Sequence, residues 1–234
     1  MSTFIDLTNQ LLRRLNEVEI SPADFASVRG VQATAKDAIK NSIAKINQAE
    51  YEWPFNAAEH TQVLATGQEE YSWPQYFKTA DWNSFFIQKN VNLGVATAQL
   101  RFIGRDEYYK NYKALDDDSG YTGRGVPEFV AQGFGNGYIV TPSPAQAFTV
   151  KFRYYMNHTD LVAYDDTTRI PPSFDSVIVE GALMQMYMFR DNMESAGISA
   201  QLYQQGVKEM QGILINQYGS VTDTRIIRAK RAMV

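Results

Sequence analysis

The chain has 234 residues, of which 44% are hydrophobic and 21% charged, and its formal net charge is -4. That length allows one large domain or two small ones with a sizeable core. The absence of cysteine excludes disulfides and thiolate chemistry, and the acidic balance argues against a protein that grips nucleic acid, which would carry a basic face. The most apolar run, about 13 residues, is too short to cross a membrane as a helix, and no signal-peptide pattern opens the sequence. We therefore expect a soluble protein without a membrane partner.

The region 1–56 predicts helices. Residues 3–18 and 31–51 both carry apolar side chains at steps of three and four, which is the spacing of one helix face. Between them, residues 21–24 (SPAD) predict another helix start, because serine caps a helix and proline fits its first turn. Pro54 disfavours helical geometry in the residue before it, so the helical region should end there.

The region 57–168 predicts strands, because its apolar period shifts from 3.6 towards 2. Residues 60–66 and 70–73 are predicted to pair as a hairpin. Residues 127–132 and 138–141 should form a second hairpin around a glycine-rich turn. Further strands are predicted at 84–90, 98–103 and 146–156, a short helix at 105–113, and an exposed loop at 116–125.

The region 169–218 predicts an antiparallel helical hairpin. Its first helix, 177–189, is almost wholly apolar, and a short turn at 191–197 leads to a second helix with one apolar face. An apolar surface this wide needs cover from most sides, and a neighbouring subunit is a natural source of that cover. The predicted subunit interface comprises Val177, Ile178, Met184, Met188, Tyr203 and Val207.

The fold class expected from this order is α+β. The N- and C-terminal helices pack as a helical domain, and residues 57–168 are inserted as a β-rich lobe. Residues 219–234 read as an extended C-terminal arm with no core of its own, which a partner should order. Its basic and apolar residues are Arg225, Ile226, Ile227, Arg228, Lys230 and Arg231.

The sequence carries no catalytic signature. His60 and His158 are the only histidines, and neither lies in a nucleophile or metal-ligand motif. Asp116, Asp117 and Asp118 could attract a cation, but a solvated acidic loop is the simpler interpretation. We therefore predict no enzyme, no cofactor and no metal site.

Two stretches resemble a known family. One is the segment 43–47 (IAKIN) leading to 53–56 (WPFN), and the other is 170–175 (IPPSFD) opening a long apolar helix. With the order of helices, β lobe and helices, they resemble the head–tail adaptor proteins of short-tailed bacteriophages, also called tail tubular protein A.

The resemblance implies a virion protein that assembles in the host cytoplasm and forms a ring of about twelve copies beneath the portal. It implies a β lobe directed towards the tail nozzle, and a C-terminal arm docked on the portal. Double-stranded DNA would pass through the ring without specific binding. Acidic residues facing the channel would repel DNA phosphate, and the candidates are Asp116, Asp117, Asp118, Asp165 and Asp166.

Three alternatives stay open at this point. The chain could be another ring or stopper protein of the phage neck. It could be a carbohydrate- or receptor-binding module that uses Trp73, Trp82 and the tyrosine-rich strands. A small hydrolase is a third alternative, which the shortage of histidine argues against.

Overall fold

The computed structural model describes residues 2–88, 90, 92, 94, 96–117 and 123–215. This part of the chain contains six α-helices and nine strands in two sheets, which confirms the α+β class. The helices are α1 (Phe4–Arg14), α2 (Val31–Ala49), α3 (Arg105–Asn111), α4 (Lys113–Asp117), α5 (Asp175–Phe189) and α6 (Met193–Leu214). The strands are β1 (Ala57–Leu64), β2 (Glu70–Ser72), β3 (Phe77–Ala80), β4 (Phe86–Ile87), β5 (Ala98–Gln99), β6 (Arg101–Ile103), β7 (Phe129–Gln132), β8 (Gly137–Thr141) and β9 (Phe148–Met156).

The chain forms two compact units. Among the described residues, the helical unit is built from 2–55 and 160–215, and the β-rich unit from Asn56–Thr159. The helical unit contains α1, α2, α5 and α6, as the periodicity of the sequence predicted.

A capping box starts α1. Thr3 Oγ1 accepts a hydrogen bond of 3.3 Å from Asp6 N, and Asp6 Oδ2 accepts one of 3.1 Å from Thr3 N. These bonds satisfy backbone donors that a helix start leaves unpaired. The Thr3 hydroxyl also donates a hydrogen bond of 2.6 Å to Asp6 Oδ2, and this bond is the main cause of the lowered pKa of the Asp6 carboxyl.

The helix start predicted at 21–24 is wrong, because residues 22–27 form turns. Ser21 Oγ does accept a hydrogen bond of 3.3 Å from Asp24 N, as in a helix cap. The turns instead bring Phe25 into the core, where its ring centroid lies 5.0 Å from that of Phe4. Gly30 then adopts a positive φ of 62°, which favours glycine, and α2 begins after it.

The core of the helical unit lies between α1, α2 and α5. Leu7, Leu11, Ile39 and Ile46 are each fully buried in it. Burying one such side chain contributes about 1.5–3 kcal/mol to stability. Trp53 is also fully buried and donates a hydrogen bond of 2.8 Å from Nε1 to Ile46 O, which fixes the chain where it leaves α2.

Strand β9 is the centre of the five-stranded sheet. It pairs with β1, β3 and β4, and β5 extends the sheet beyond β4. Phe148, Val150, Phe152 and Tyr154 alternate along β9 and are all buried, as the sequence predicted. They point into a core that the two sheets share.

The prediction that residues 60–66 and 70–73 pair as a hairpin is wrong. Strand β1 pairs antiparallel with β9 in one sheet, and β2 pairs antiparallel with β8 in the other. The turn between them is held by a side chain, because the Tyr71 hydroxyl accepts a hydrogen bond of 2.9 Å from Ala65 N and donates one of 2.9 Å to Gln68 O.

The second predicted hairpin is confirmed. Strands β7 and β8 pair antiparallel from Phe129 opposite Thr141 to Gln132 opposite Tyr138. Every residue of β8 is buried, because the shared core covers one face of its sheet and the predicted short helix, α3, covers the other.

The strand predicted at 98–103 is divided between the two sheets. Strand β5 pairs with β4 in the five-stranded sheet, whereas β6 pairs in parallel with β7 in the four-stranded sheet. Leu100 is the single residue between them. It is buried, and its N–H donates a hydrogen bond of 2.8 Å to Phe85 O.

The strand predicted at 84–90 is shorter, because a helical turn occupies Trp82–Ser84 and β4 contains two residues.

Candidate functional site

Helix α5 is covered on most sides by its own chain. Gly181 allows this close packing, because a Cβ there would lie 2.3 Å from Ser42 Oγ on α2 and 2.8 Å from the Tyr203 ring on α6. The Ser42 hydroxyl donates a hydrogen bond of 2.8 Å to Ile178 O. The wide apolar surface of α5 is thus explained within one chain and does not by itself require a neighbouring subunit.

The residues predicted as ring contacts divide into two groups. Val177, Ile178 and Val207 belong to the core of the helical unit and are at most 8% exposed, so they offer little surface to a neighbouring subunit. Met184 and Tyr203 are half-buried, and burial raises the pKa of the Tyr203 hydroxyl to about 12. Met188 is exposed and offers the most surface of the six.

An exposed apolar stripe runs along α6, on a different side from its packed face. This outer stripe comprises Ile198, Leu202 and Ile213, whose exposed fractions are 56%, 48% and 72%. They lie within about 60° of one another around a helix of 3.6 residues per turn. The sequence analysis missed the stripe because it followed the more numerous apolar residues of the buried face.

A groove lies between α5 and α6 beside the outer stripe. Its volume is about 260 Å³, and Val177, Leu202 and Gly206 contribute its apolar lining. Each helix also contributes one carboxylate, Glu180 from α5 and Glu209 from α6. This α5–α6 groove therefore combines apolar surface with acidic groups.

The two carboxylates of the groove have different partners. Glu180 forms an ion pair with Arg14 of α1, and its side chain is only 15% exposed. Glu209 is exposed, and its Oε1 accepts a hydrogen bond of 2.9 Å from Gln205 Nε2. Glu209 is therefore the more accessible of the two to a cation from outside.

Two of the acidic residues predicted to face a DNA channel have partners in the β-rich unit. Asp116 Oδ1 accepts a hydrogen bond of 2.8 Å from Ser143 N, and burial raises the pKa of the Asp116 carboxyl. Asp117 forms an ion pair of 2.7 Å with Lys113, one turn earlier in α4. Asp118 lies outside the described residues.

The other two acidic candidates belong to the helical unit. Asp166 Oδ2 accepts hydrogen bonds from Val162 N at 2.6 Å and from Ala163 N at 2.7 Å, which lower the pKa of the Asp166 carboxyl. Asp166 thus shapes a turn, and Asp165 beside it is exposed. That these groups face a channel stays a prediction.

The predicted portal-docking arm also lies outside the described residues, which end at Ile215. The role of its residues therefore stays a prediction. They are Arg225, Ile226, Ile227, Arg228, Lys230 and Arg231.

The β-rich unit has an open cleft of about 690 Å³ on its five-stranded sheet. Phe86 provides an aromatic ring, and Asn83 an amide. Lys151 also lines the cleft and forms an ion pair of 3.3 Å with Glu59. The lining is mostly polar, whereas the typical site for a small ligand is mostly apolar with a few polar groups.

The tryptophans proposed as a sugar platform serve mainly the packing of the β-rich unit. The Trp73 ring stacks on that of Phe77 with their centroids 4.0 Å apart. Trp82 stacks on Phe85 at 5.7 Å. Both tryptophans are partly buried against the core.

Among the described residues, no helix combines the length and the hydropathy that a membrane span requires. In the same part of the chain, no group of three His, Cys, Asp or Glu side chains is placed to hold a metal ion.

Adjacent exposed apolar side chains such as Ile198 and Leu202, one turn apart on α6, suit a contact with another protein. The SU10 adaptor protein family matches residues 2–227, nearly the whole chain. The chain therefore belongs to the SU10 adaptor protein family and has the structural role of a phage adaptor. This match confirms the resemblance to phage adaptors at the level of the family. No curated protein matches the chain.

Proposed function

We propose that this adaptor forms a closed ring between the portal and the tail nozzle of a phage particle and lines the path of the DNA. The family match over residues 2–227 carries the proposal, because an adaptor joins other components of the virion. A ring follows if one surface of each subunit binds a different surface of the next and the rotation closes. The resemblance suggests about twelve copies.

The exposed apolar side chains of α5 and α6 support ring formation. Met188, Ile198 and Ile213 are each at least 47% exposed on helices that are otherwise well packed. Burying an exposed aliphatic side chain in a contact contributes about 1.5–3 kcal/mol before the costs of association. A ring repeats the same contact at every interface, so each subunit would bury these side chains against its neighbour.

The charge of the chain suits a passage for DNA. Its net charge of -4 disfavours tight binding of phosphate, so DNA would pass without adhering. Among the described acidic candidates, Asp165 is exposed, whereas Asp116 is partly buried and Asp117 is paired. Asp165 is therefore the strongest of these candidates for the channel wall.

The basic arm at 219–234 is proposed to dock on the portal. Four of the 22 basic residues of the chain but only one of its 26 acidic residues lie in these last 16 positions. Ile226 and Ile227 would add apolar contacts to the basic ones.

Deletion of residues 219–234 tests this proposal. The truncated chain keeps every described residue, so we expect an unchanged circular dichroism spectrum and thermal unfolding curve. In an assembly assay it should fail to join filled heads, which would then leak DNA. A full-length chain with Asp223→Asn, which keeps all four basic residues, serves as the control. Normal joining by the truncated chain would rule out the role of the arm, and a virion neck imaged without a ring of this protein would rule out the adaptor position.

A second candidate function is glycan or receptor binding by the β-rich unit, which the cleft around Phe86 favours. A glycan array probed with the intact protein and with Phe86→Ala tests it. Glycan binding by the intact protein that is lost in Phe86→Ala would support this candidate. If neither protein binds a glycan, glycan binding is excluded.

A further inference from the structure

We propose that in the free subunit the basic segment 219–234 binds the α5–α6 groove of its own chain. The groove combines exposed Leu202 with the carboxylates of Glu180 and Glu209, and the segment that follows α6 combines isoleucine with arginine and lysine. This inference concerns the isolated protein, so it holds or fails independently of the position of the adaptor in the virion.

The charges of the groove and of the segment are opposite. Glu209 is exposed, and Glu180 is paired with Arg14, so Glu209 is the principal anchor for a second cation. The last turn of α6 contains no basic residue, although the C-terminal end of a helix carries partial negative charge. Arginine and lysine from the following segment would therefore be attracted both by Glu209 and by the end of α6.

The apolar groups are also complementary. Leu202 is 48% exposed at the groove, and Val177 and Gly206 pack together beside it. The groove volume of about 260 Å³ is large enough to receive an isoleucine side chain. Ile226 or Ile227 would bury apolar surface there while the neighbouring arginines remain at the acidic rim.

The length of the chain after α6 permits this contact. With a rise of 1.5 Å per residue, Glu209 is about 8 Å and Leu202 about 18 Å from Leu214 along the helix axis. Residues 216–224 span up to about 30 Å when extended, so Arg225 reaches back to either position.

The same length favours the groove of the same chain over that of a second copy. A short tether holds the segment near its own groove at an effective concentration in the millimolar range, far above the micromolar protein of a solution experiment. A partner that binds the segment 219–234 more tightly than the groove does would remove it from the groove and thereby expose Leu202. Free subunits would thus be kept from associating before that partner is present.

Disulfide trapping tests this inference. Because the full chain contains no cysteine, only the two introduced cysteines can form a disulfide. The test variant carries Gln205→Cys, an exposed position that lines the groove, together with Ile227→Cys. The control carries Gln204→Cys with the same Ile227→Cys, because Gln204 is also exposed but lies about 100° further around the helix. Both proteins are oxidised gently at micromolar concentration and analysed by size-exclusion chromatography and peptide mass mapping.

We expect a disulfide within the monomer that forms at least about tenfold faster in the Gln205 variant than in the control. Adding Glu209→Gln, or 1 M salt, should slow it several-fold, because screening weakens exposed charge pairs. Equal rates for the two variants would overturn the proposal, since they would indicate random encounters. Disulfide-linked dimers as the main product would also overturn it, since the occupant would then be a second copy. Circular dichroism confirms that each variant is folded before oxidation.

Discussion

Gly206 of α6 lies directly against Val177 of α5, because a Cβ at position 206 would stand 2.6 Å from Val177 Cγ2. The two most apolar helices of the helical unit approach this closely because position 206 carries no side chain. A second glycine, Gly181, plays the same part between α5, Ser42 and Tyr203. The interhelical spacing is therefore set by glycines that no apolar pattern identifies.

Gly206→Ala should destabilise the protein, whereas Gly212→Ala on the same helix should stabilise it. Alanine gains about 1 kcal/mol of helix propensity at either position, but the overpacking at 206 costs about 1–3 kcal/mol. A Cβ at 212 has nothing within 4 Å. Urea unfolding of both variants measures the difference, and equal changes in the two free energies of unfolding would contradict the close approach.

Ile178→Ala should lower the stability of the fold, whereas Ile198→Ala should weaken ring formation and leave stability nearly unchanged. Ile178 is fully buried, so its truncation should cost about 2–5 kcal/mol of stability. Ile198 is 56% exposed, so its truncation should change stability by about 0.5 kcal/mol or less. It should nevertheless weaken ring formation, measured by mass photometry or by imaging of the assembled neck. Normal rings from Ile198→Ala would remove this residue from the interface.

Asp116→Asn should raise the thermal unfolding midpoint at pH 7.5. Burial raises the folded-state pKa of the Asp116 carboxyl, and such a group favours folding below its unfolded pKa of about 3.9. That contribution is lost as the pH rises through the folded pKa. The amide keeps an acceptor for Ser143 N without a charge, so the advantage of the variant should shrink towards pH 4.

Asp117→Asn is the matched control for this prediction. Asp117 is exposed and paired with Lys113, so its loss should lower stability by about 0.5 kcal/mol or less. A destabilised Asp116→Asn at pH 7.5 would show that the charged form of Asp116 is the one the fold requires.

Thr3→Ala should destabilise α1 by about 1 kcal/mol at pH 7, because it removes the side chain that caps Asp6 N. The Thr3 bonds lower the folded-state pKa of the Asp6 carboxyl, so this contribution is present above its unfolded pKa of about 3.9 and is lost as the pH falls through the folded value. The difference from the parent chain should therefore narrow in acid. A gap that is constant from pH 7 to pH 3 would show that the carboxylate of Asp6 takes no part.

The elements that the sequence predicted well are those with local patterns. The alternation of β9 and the apolar faces of α1, α2 and α6 follow directly from residue spacing. The hairpin at 60–73 failed because strand pairing is decided by distant partners, namely β9 for β1 and β8 for β2. The Tyr71 hydroxyl holds the turn between β1 and β2 through a hydrogen bond from Ala65 N, although these two strands belong to different sheets.

The surfaces were harder to predict than the elements. Apolar spacing identified Val177, Ile178 and Val207, which the subunit buries in its own core. A single sequence does not distinguish an apolar residue that faces its own core from one that faces outward. The exposed Ile198 and Leu202 emerge only when the packed face of α6 is known.

Leu100 alone connects β5 of one sheet of the β-rich unit to β6 of the other, and this residue is itself buried and hydrogen-bonded to Phe85. A connection of one residue leaves little freedom for the two strands that it joins to move apart. The edge strands β5 and β6 therefore cannot move apart without exposing the Leu100 side chain or breaking its hydrogen bond to Phe85 O.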